Sequence, residues 1–324
     1  MISRWLVALV LLVSFALPVQ AQDDYPNKPV RLVLPFPPGG GTDALARILA
    51  DAMTESMGQQ VVVDNRPGAA GNIASDTVAK AEPDGYTLLL GFSTALVVNP
   101  SLYEDLAFDI EEDFDPITLI ADAQYILVTH PSVPAESVDE LIAHAKENPG
   151  ELNFSSSGVG GPLHLAAELF KNRADVDIVH IPYDGGGPAA QAVLGGEVDI
   201  LFGSVAATKP QVDEGQLRAL ATTGLERSDA LPDLPTLDEA GLEGFNVTSW
   251  YALLAPAGTP EPIIDKLNDE VLKALSLPEV QERLAERGLT PIGSTPEELA
   301  QHMAEEREVW SEVIERAGLE PEEE

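Results

Sequence analysis

Short apolar segments alternate with amphipathic helical segments along nearly the whole chain, and this alternation constrains the fold more than any other feature. A strand followed by a helix brings the chain back to the same edge of a sheet, so repeated alternation predicts an α/β architecture with largely parallel sheets. Strands are predicted at 30–35, 60–64, 86–91, 125–130, 152–155, 178–182, 198–203, 217–223 and 250–255. Helices are predicted at 43–57, 70–80, 137–147, 162–173, 187–195, 207–214, 260–275, 278–287 and 296–317.

Two segments are candidate crossings between domains. Residues 109–116 are acidic and are predicted to form an unstructured connector before Ile117, which indicates a boundary near 121–124. A second boundary is predicted near 245–249, where Gly244-Phe-Asn-Val-Thr leads into Ser249-Trp-Tyr. At 324 residues the chain is long enough for two domains of ordinary size.

The first 21 residues have the features of a secretory signal peptide. Arg4 supplies the positive charge, an apolar run from Leu6 to Leu17 follows, and Val19-Gln-Ala21 is a small-x-small cleavage pattern. The apolar run is shorter than the roughly 20 residues that cross a bilayer. The chain has no cysteine, which excludes a lipidated cysteine anchor, disulfides and thiolate metal sites. We therefore expect cleavage after Ala21 and export to the periplasm.

The formal net charge of −36 restricts the classes of partner. Such a negative field repels nucleic acid and anionic lipid head groups, so neither is expected to bind. Two explanations of the charge stay open. One is a halophilic acidic surface, adapted to salt that screens self-repulsion, and the other is a specific acidic docking surface.

The loop after the first predicted strand has the composition of an anion site. Val30-Arg-Leu-Val-Leu continues through Pro35-Phe-Pro-Pro-Gly-Gly-Gly-Thr-Asp43 into a helix. Glycines leave backbone N–H groups unshielded, and the N-terminus of the helix adds a partial positive charge. The sequence therefore predicts that a carboxylate could bind there without a cationic side chain.

Four further loops follow predicted strands, which is where open α/β sheets bind ligands. They span residues 91–95, 155–164, 183–188 and 203–204. These loops contain hydroxyl groups and backbone donors but no lysine or arginine. Each loop alone is equally well explained as a strand–helix turn. Two glycine-rich, helix-opening loops from opposite halves of the chain together suggest a cleft that closes from both sides.

A dinucleotide site has a partial signal. Gly39-x-Gly41-x-x-Ala44, followed by Asp64 after an apolar strand, matches the fingerprint of such sites. The prolines at 35–38 lengthen a turn that the fingerprint needs tight, and an exported protein is not expected to use nicotinamide cofactors.

A serine hydrolase is a second alternative. The possible serine and histidine partners are Ser93, Ser156, Ser204, His164 and His180. No spacing among them indicates a triad, and the scattered histidines show no zinc-ligand spacing. We therefore predict no catalytic residue, no metal site and no cofactor.

Nine segments, in order along the chain, resemble the substrate-binding proteins of tripartite tricarboxylate transporters, the Bug-like periplasmic receptors. The segments are Pro35-Phe-Pro-Pro-Gly-Gly-Gly-Thr-Asp43, Asn65-Arg-Pro-Gly-Ala-Ala-Gly-Asn72, Pro83-Asp-Gly-Tyr-Thr87, Asn99-Pro-Ser-Leu-Tyr103, His164-Leu-Ala-Ala-Glu-Leu-Phe170, Ile181-Pro-Tyr-Asp-Gly185, Leu194-Gly-Gly-Glu-Val-Asp199, Leu231-Pro-Asp-Leu-Pro-Thr236 and Leu254-Ala-Pro-Ala-Gly-Thr-Pro260. The resemblance extends from about residue 25 to residue 318.

The resemblance implies an α/β, two-domain periplasmic binding protein fold of the type II-like class, with the ligand in the interdomain cleft. Domain 1 would combine 25–122 with 248–324, and domain 2 would be 123–247. The implied function is non-enzymatic capture of a mono-, di- or tricarboxylate by a monomer, for uptake by a membrane permease of one large and one small subunit. An exported serine hydrolase and a ligand-presenting sensor component stay open as alternatives.

The resemblance also implies where the ligand binds, through backbone N–H groups, hydroxyls and bridging water on two loops. We call residues 36–43 the first lip and residues 156–164 the second lip. The implied ligand-binding residues are Phe36, Pro38, Gly39, Gly40, Gly41, Thr42 and Asp43 on the first lip, Ser156, Ser157, Gly158, Gly160 and His164 on the second, and Ser93, Thr94, Tyr183 and Ser204 at the far end.

The second lip departs from the family pattern. Val159 and Gly161 occupy positions where relatives often carry a hydroxyl or amide side chain, and Gly203-Ser204 occupies the place of a frequent Asp-Asn pair. These differences remove polar groups that would bind the distal end of a ligand.

Overall fold

The computed structural model of the protein describes residues 25–39, 41–103, 106–183 and 185–319, so the predicted signal peptide lies outside the described residues. The strands are β1 Val30–Leu34, β2 Val61–Asn65, β3 Thr87–Phe92, β4 Phe114–Thr129, β5 Asn153–Ser156, β6 Val179–Pro182, β7 Ile200–Ser204, β8 Arg218–Thr222, β9 Thr248–Pro256 and β10 Thr290–Pro291. The helices are α1 Gly41–Met57, α2 Asn72–Ala79, α3 Asn99–Leu102, α4 Val138–Glu147, α5 Pro162–Ala174, α6 Gly186–Leu194, α7 Val205–Asp213, α8 Glu261–Leu275, α9 Pro278–Ala285 and α10 Pro296–Arg316.

The strands form two sheets of like order that share the long strand β4. The order is β2-β1-β3-β9-β4 in the first sheet and β6-β5-β7-β4-β8 in the second, and β10 pairs with β4 in the first. The fourth strand of the first sheet is β9, and the fourth strand of the second sheet is β4. These two strands cross between the sheets. The mixed α/β architecture predicted from the sequence is confirmed.

The prediction of largely parallel sheets is wrong. The pairs β1–β2, β1–β3, β5–β6 and β5–β7 are parallel. Among the described residues, however, β4 and β9 are antiparallel to every strand with which they pair. The reason is that the chain passes between the two sheets twice. It leaves the first sheet along β4 and returns to it along β9, so these two strands run in opposite directions.

The predicted unstructured connector is also shorter than expected. Strand β4 already begins at Phe114, which lies opposite Pro256 of β9, so the strand predicted at 125–130 is the end of a longer one. The acidic residues before it organise a turn instead. The carboxylate of Asp109 accepts the N–H of Glu111 at 2.8 Å, and that of Asp113 accepts the N–H of Asp109 at 2.8 Å.

The core positions the start of α1 at the end of β1. Leu45, Ile48, Leu49 and Met53 follow the spacing of one helical face, and each is at most 1% exposed against the first sheet. The other face of that sheet packs into a second cluster that continues into the second sheet and includes Trp250. No helix in the described part of the chain is long and apolar enough to cross a membrane.

Candidate ligand-binding site

The two lips lie at the junction between the sheets. Strand β3 ends at Phe92, opposite Tyr251, which in turn lies opposite Ala121 of β4. Strand β7 ends at Ser204, opposite Tyr125 of the same strand. Along β4, the level at which β3 ends (Ala121) and the level at which β7 ends (Tyr125) are therefore about 13 Å apart in an extended strand.

Asp43 organises the first lip. Its carboxylate accepts the N–H of Gly39 at 3.0 Å, two bonds from the guanidinium of Arg47 at 2.9 and 3.0 Å, and one from the side-chain amide of Asn65 at 3.0 Å. The same amide also donates to the carbonyl of Phe36 at 2.9 Å. These bonds tie the loop to both α1 and β2.

The carboxylate of Asp43 is therefore committed to the loop. Its hydrogen bonds with Arg47, Gly39 and Asn65 outweigh burial and lower the pKa of Asp43 to about 2. Arg47 lies close enough to compensate its negative charge. The residue thus holds the lip in shape, and its charge is balanced beside the place predicted for an anion.

Two contacts between the first lip and other strands could not be predicted from the sequence. The hydroxyl of Thr42 donates to the hydroxyl of Tyr251, a residue of β9, at 3.4 Å. The rings of Phe36 and Phe92 pack with their centroids 4.8 Å apart. Tyr251 and Phe92 reach the lip through strand pairing and packing, which no local motif encodes. Of the residues predicted for this lip, Gly40 lies outside the described residues, and Pro38 is exposed in the loop.

Ser156 organises the second lip from the end of β5. Its buried hydroxyl donates to the carbonyl of Gly158 at 3.0 Å and accepts the N–H of Gly158 at 3.2 Å. The Nε2 atom of His180 lies 2.6 Å from the same hydroxyl oxygen. This contact ties the ring of His180 to the second lip.

His164 holds the same loop from the first turns of α5. Its Nδ1 accepts the N–H of Gly160 at 3.0 Å, so its own proton is on Nε2, 3.7 Å from Glu168. Its ring stacks on that of His180 with centroids 3.9 Å apart. Burial, followed by the charge of Lys171, lowers the pKa of His164 to about 4. His164 therefore positions the loop as an uncharged imidazole.

The contact between Ser156 and His180 does not resemble the nucleophile and base of a hydrolase. Ser156 has no exposed surface, and its hydroxyl also hydrogen-bonds the backbone of Gly158. Burial lowers the pKa of His180 to about 4, and no described carboxylate hydrogen-bonds its ring. A serine nucleophile needs an accessible oxygen and a base oriented by a third group.

The remaining predicted residues lie around the same junction. Ser93 is buried, and Thr94 opens the π-helical turn Thr94–Val98 after β3. The backbone N–H of Tyr183 donates to the carbonyl of Ser156 at 3.1 Å, which ties the end of β6 to the second lip. Ser204 is exposed at the end of β7. Ser157 and Gly158 are partly exposed in the loop between β5 and α5.

The structure does not favour a dinucleotide site, because the acidic residue that such a site would need is already in two ion pairs. The carboxylate of Asp64 lies 2.8 Å from Arg31 and 3.1 Å from Arg66, so two guanidinium groups already occupy it. Within the described residues, no group of three or more histidine, aspartate or glutamate side chains could hold a metal ion.

Comparisons with known proteins concern the family and the fold of the chain. Residues 45–319 match the profile of the tripartite tricarboxylate transporter family receptors. The chain is also similar to protein BugT of Bordetella pertussis, with 41% identity over 94% of this chain and 94% of that protein.

Two solved structures extend the comparison to the fold. A TctC solute-binding protein from Polaromonas without ligand superposes with a TM-score of 0.82, at 28% identity over 90% of this chain and 99% of that one. R. palustris Rpa4515 with adipate superposes with a TM-score of 0.74, at 37% identity over 92% of this chain and 100% of that one. The structure with the higher TM-score is thus the one less similar in sequence.

Proposed function

Because the chain belongs to the tripartite tricarboxylate transporter receptor family, we propose that it is a periplasmic, non-enzymatic solute-binding protein that captures a small carboxylate for uptake by a membrane permease of one large and one small subunit. The resemblance to Bug-like receptors stated from the sequence is confirmed by the family match and by the similarity to BugT.

The observation that carries the proposal is the first lip. Helix α1 begins at Gly41, and the first N–H groups of a helix have no acceptor within it. Asp43, tied down by Arg47, Asn65 and Gly39, fixes these donors in place. The helix has 17 residues, long enough for a full dipole at its N-terminus. Fixed N–H groups and a helix dipole together favour a carboxylate.

Binding through neutral donors suits a receptor that must release its cargo. A buried ion pair with arginine or lysine would be costly to separate, whereas hydrogen bonds from backbone N–H groups exchange readily with water. The protein similar to this chain from R. palustris was solved with adipate, which supports a carboxylate as the ligand class.

We expect calorimetry to show binding of a free carboxylic acid and at least a 100-fold loss for its methyl ester, because the ester lacks the negative charge that the helix start stabilises. The probes are hexanoate, adipate, benzoate, terephthalate and citrate. Each is paired with the methyl ester in which all of its carboxyl groups are esterified. An ester that binds as tightly as its acid would contradict the anion site. Failure of every acid to bind would contradict the proposed function.

Domain closure is the second part of the proposal, with domain 1 formed by 25–122 and 248–324 and domain 2 by 123–247. Strand β4 changes partner between Gln124, opposite Thr248, and Tyr125, opposite Ser204. Two crossing strands at one level can act as a hinge between halves that each supply one lip.

We expect small-angle scattering to give a smaller radius of gyration when the tightest carboxylate is present at saturation. Closure would bury the ligand and give a membrane partner a shape that differs between loaded and empty protein. The methyl ester of the same acid is the control and should leave the scattering unchanged. Identical curves for empty and saturated protein would indicate a rigid cleft.

A further inference from the structure

The second lip contacts an apolar residue that precedes both crossing strands in the chain. A Cβ atom built on Gly160 would lie 3.2 Å from a methyl carbon of Leu102, so this side chain packs against the backbone of the lip. Leu102 is the last residue of α3 and belongs to segment 25–122, whereas the lip belongs to 123–247. The contact therefore joins the two parts of the chain that the proposed hinge separates.

The start of α5 holds Gly160 from the opposite side. The N–H of Gly160 donates to Nδ1 of His164 at 3.0 Å, and the buried ring of His164 stacks on that of His180. Gly160 also has a φ of +72°, in the region that residues with a Cβ atom rarely adopt. The backbone at Gly160 thus lies between a fixed histidine and Leu102, with little space for a side chain.

Helix α3 is itself fixed within the first part of the chain. The side-chain amide of Asn99, which is 1% exposed, donates to Oδ1 of Asn72 at 2.8 Å and to the carbonyl of Ala70 at 3.2 Å. These bonds tie α3 to the loop before α2. Leu102 packs against the large buried cluster that includes Trp250. A closely packed side chain of this kind gives a neighbouring loop a rigid support.

Helix α5, which follows the second lip, also packs against α10. Near its C-terminal end, Leu169 and Arg173 line a small cavity together with Val309 and Val313 of α10. Helix α10 belongs to segment 248–324, which the proposed function places in domain 1. The second lip and its helix are therefore supported by domain 1 at both ends, at Gly160 by Leu102 and near the end of α5 by α10.

We propose that Leu102 is a positioning residue, which holds the second lip in its binding conformation from the other side of the cleft and acts on the ligand only through the lip. This inference rests on the proposed function and adds a residue to the same site. Without the Leu102 side chain, the backbone at Gly160 loses its support on one side and populates other conformations. The apparent affinity of a ligand falls in proportion to the fraction of protein that is in the binding conformation.

Calorimetry with the acid that binds the wild type most tightly tests this role. We expect Leu102→Ala to lose at least threefold in affinity. Leu102→Met keeps an apolar side chain of similar volume and should stay within twofold of the wild type. Leu106→Ala is the control, because it shortens another partly buried leucine that packs against the same cluster, and it should also stay within twofold.

The outcomes separate this inference from the proposed function. Unchanged affinity in folded Leu102→Ala, or an equal loss in Leu106→Ala, would overturn the positioning role and leave the proposed function intact. A loss in Leu102→Met as large as that in Leu102→Ala would also overturn it. A wild type that binds none of the acids would instead overturn the proposed function, and the inference with it.

A double-mutant cycle tests the contact itself. We expect the loss of affinity caused by Gly160→Ala to be at least threefold smaller in Leu102→Ala than in the wild type, because the added Cβ atom then has space. Gly158→Ala is the matched control. Gly158 also has a positive φ, +131°, but the nearest atom to its Cβ would be the carbonyl oxygen of Tyr183 at 4.0 Å. Its loss should be the same in both backgrounds, and equal losses for Gly160→Ala would overturn the contact.

Discussion

We expect Gly41→Pro to lower the affinity for the bound carboxylate at least ~100-fold while the protein stays folded. Proline removes the backbone N–H at the start of α1, and a hydrogen bond to a charged group contributes about 1.5–3 kcal/mol. Its ring carbons would also crowd the position in front of α1 where the proposed function puts the carboxylate. The fold should tolerate the change, because proline is favoured at the first helical position and a Cβ atom at Gly41 would have no neighbour within 4 Å.

Gly41→Ala is the matched control, since alanine adds a methyl group and keeps the N–H. We expect its affinity to stay within about tenfold of the wild type, since no donor is lost. Calorimetry with the tightest acid and thermal unfolding of both variants make the comparison. Unchanged affinity in a folded Gly41→Pro variant would remove the first lip from the site.

The second prediction concerns stability and a largely buried carboxylate that lies against β9. Glu306 of α10 is 12% exposed in its side chain, and its Oε2 accepts the indole N–H of Trp250 on β9 at 2.8 Å and that of Trp310 at 3.3 Å. Its Oε1 lies 3.7 Å from His302. Burial raises the pKa of Glu306 to about 7, and the indole hydrogen bonds offset only part of this effect.

We expect Glu306→Gln to gain stability relative to the wild type as the pH rises. Between the unfolded pKa of 4.5 and the folded pKa of about 7, the folded wild type binds more protons than the unfolded chain. Its free energy of unfolding therefore falls as the pH rises through this window. Glutamine does not titrate, so the difference should grow by roughly 3 kcal/mol between pH 4.5 and about pH 8. Urea unfolding at several pH values measures it.

Only the difference between variant and wild type is informative, because other groups titrate in the same window. Burial raises the pKa of Asp122 to about 6, which acts in the same direction, while His164 and His180 act in the opposite direction. Glu308→Gln is the control, because it removes the same charge from an exposed position of the same helix. A difference for Glu306→Gln that changes with pH no more than that of the control would mean an ordinary pKa for Glu306 in the folded protein.

The sequence alone determined most of the helices and strands, because these depend on local periodicity and end signals. It did not predict α3, β10 or the first part of β4. The helix predicted at 162–173 is observed at Pro162–Ala174, and the strand predicted at 30–35 at Val30–Leu34. The glycine-rich loops were recognisable for the same reason. An apolar strand, a proline–glycine turn and a helix start are contiguous in sequence, so their composition predicts an anion site before any packing is known.

Tertiary structure alone decided how these segments are used. The length of β4 and its change of partner at Tyr125 depend on pairing with β9 and β7, which lie more than 70 residues further along the chain. The same holds for the lips. The sequence supplies glycines and hydroxyls to both, but the contact of His180 with Ser156 arises only when β5 and β6 pair. Whether a donor is available to a ligand depends on which distant residue already accepts it, and local sequence cannot encode that.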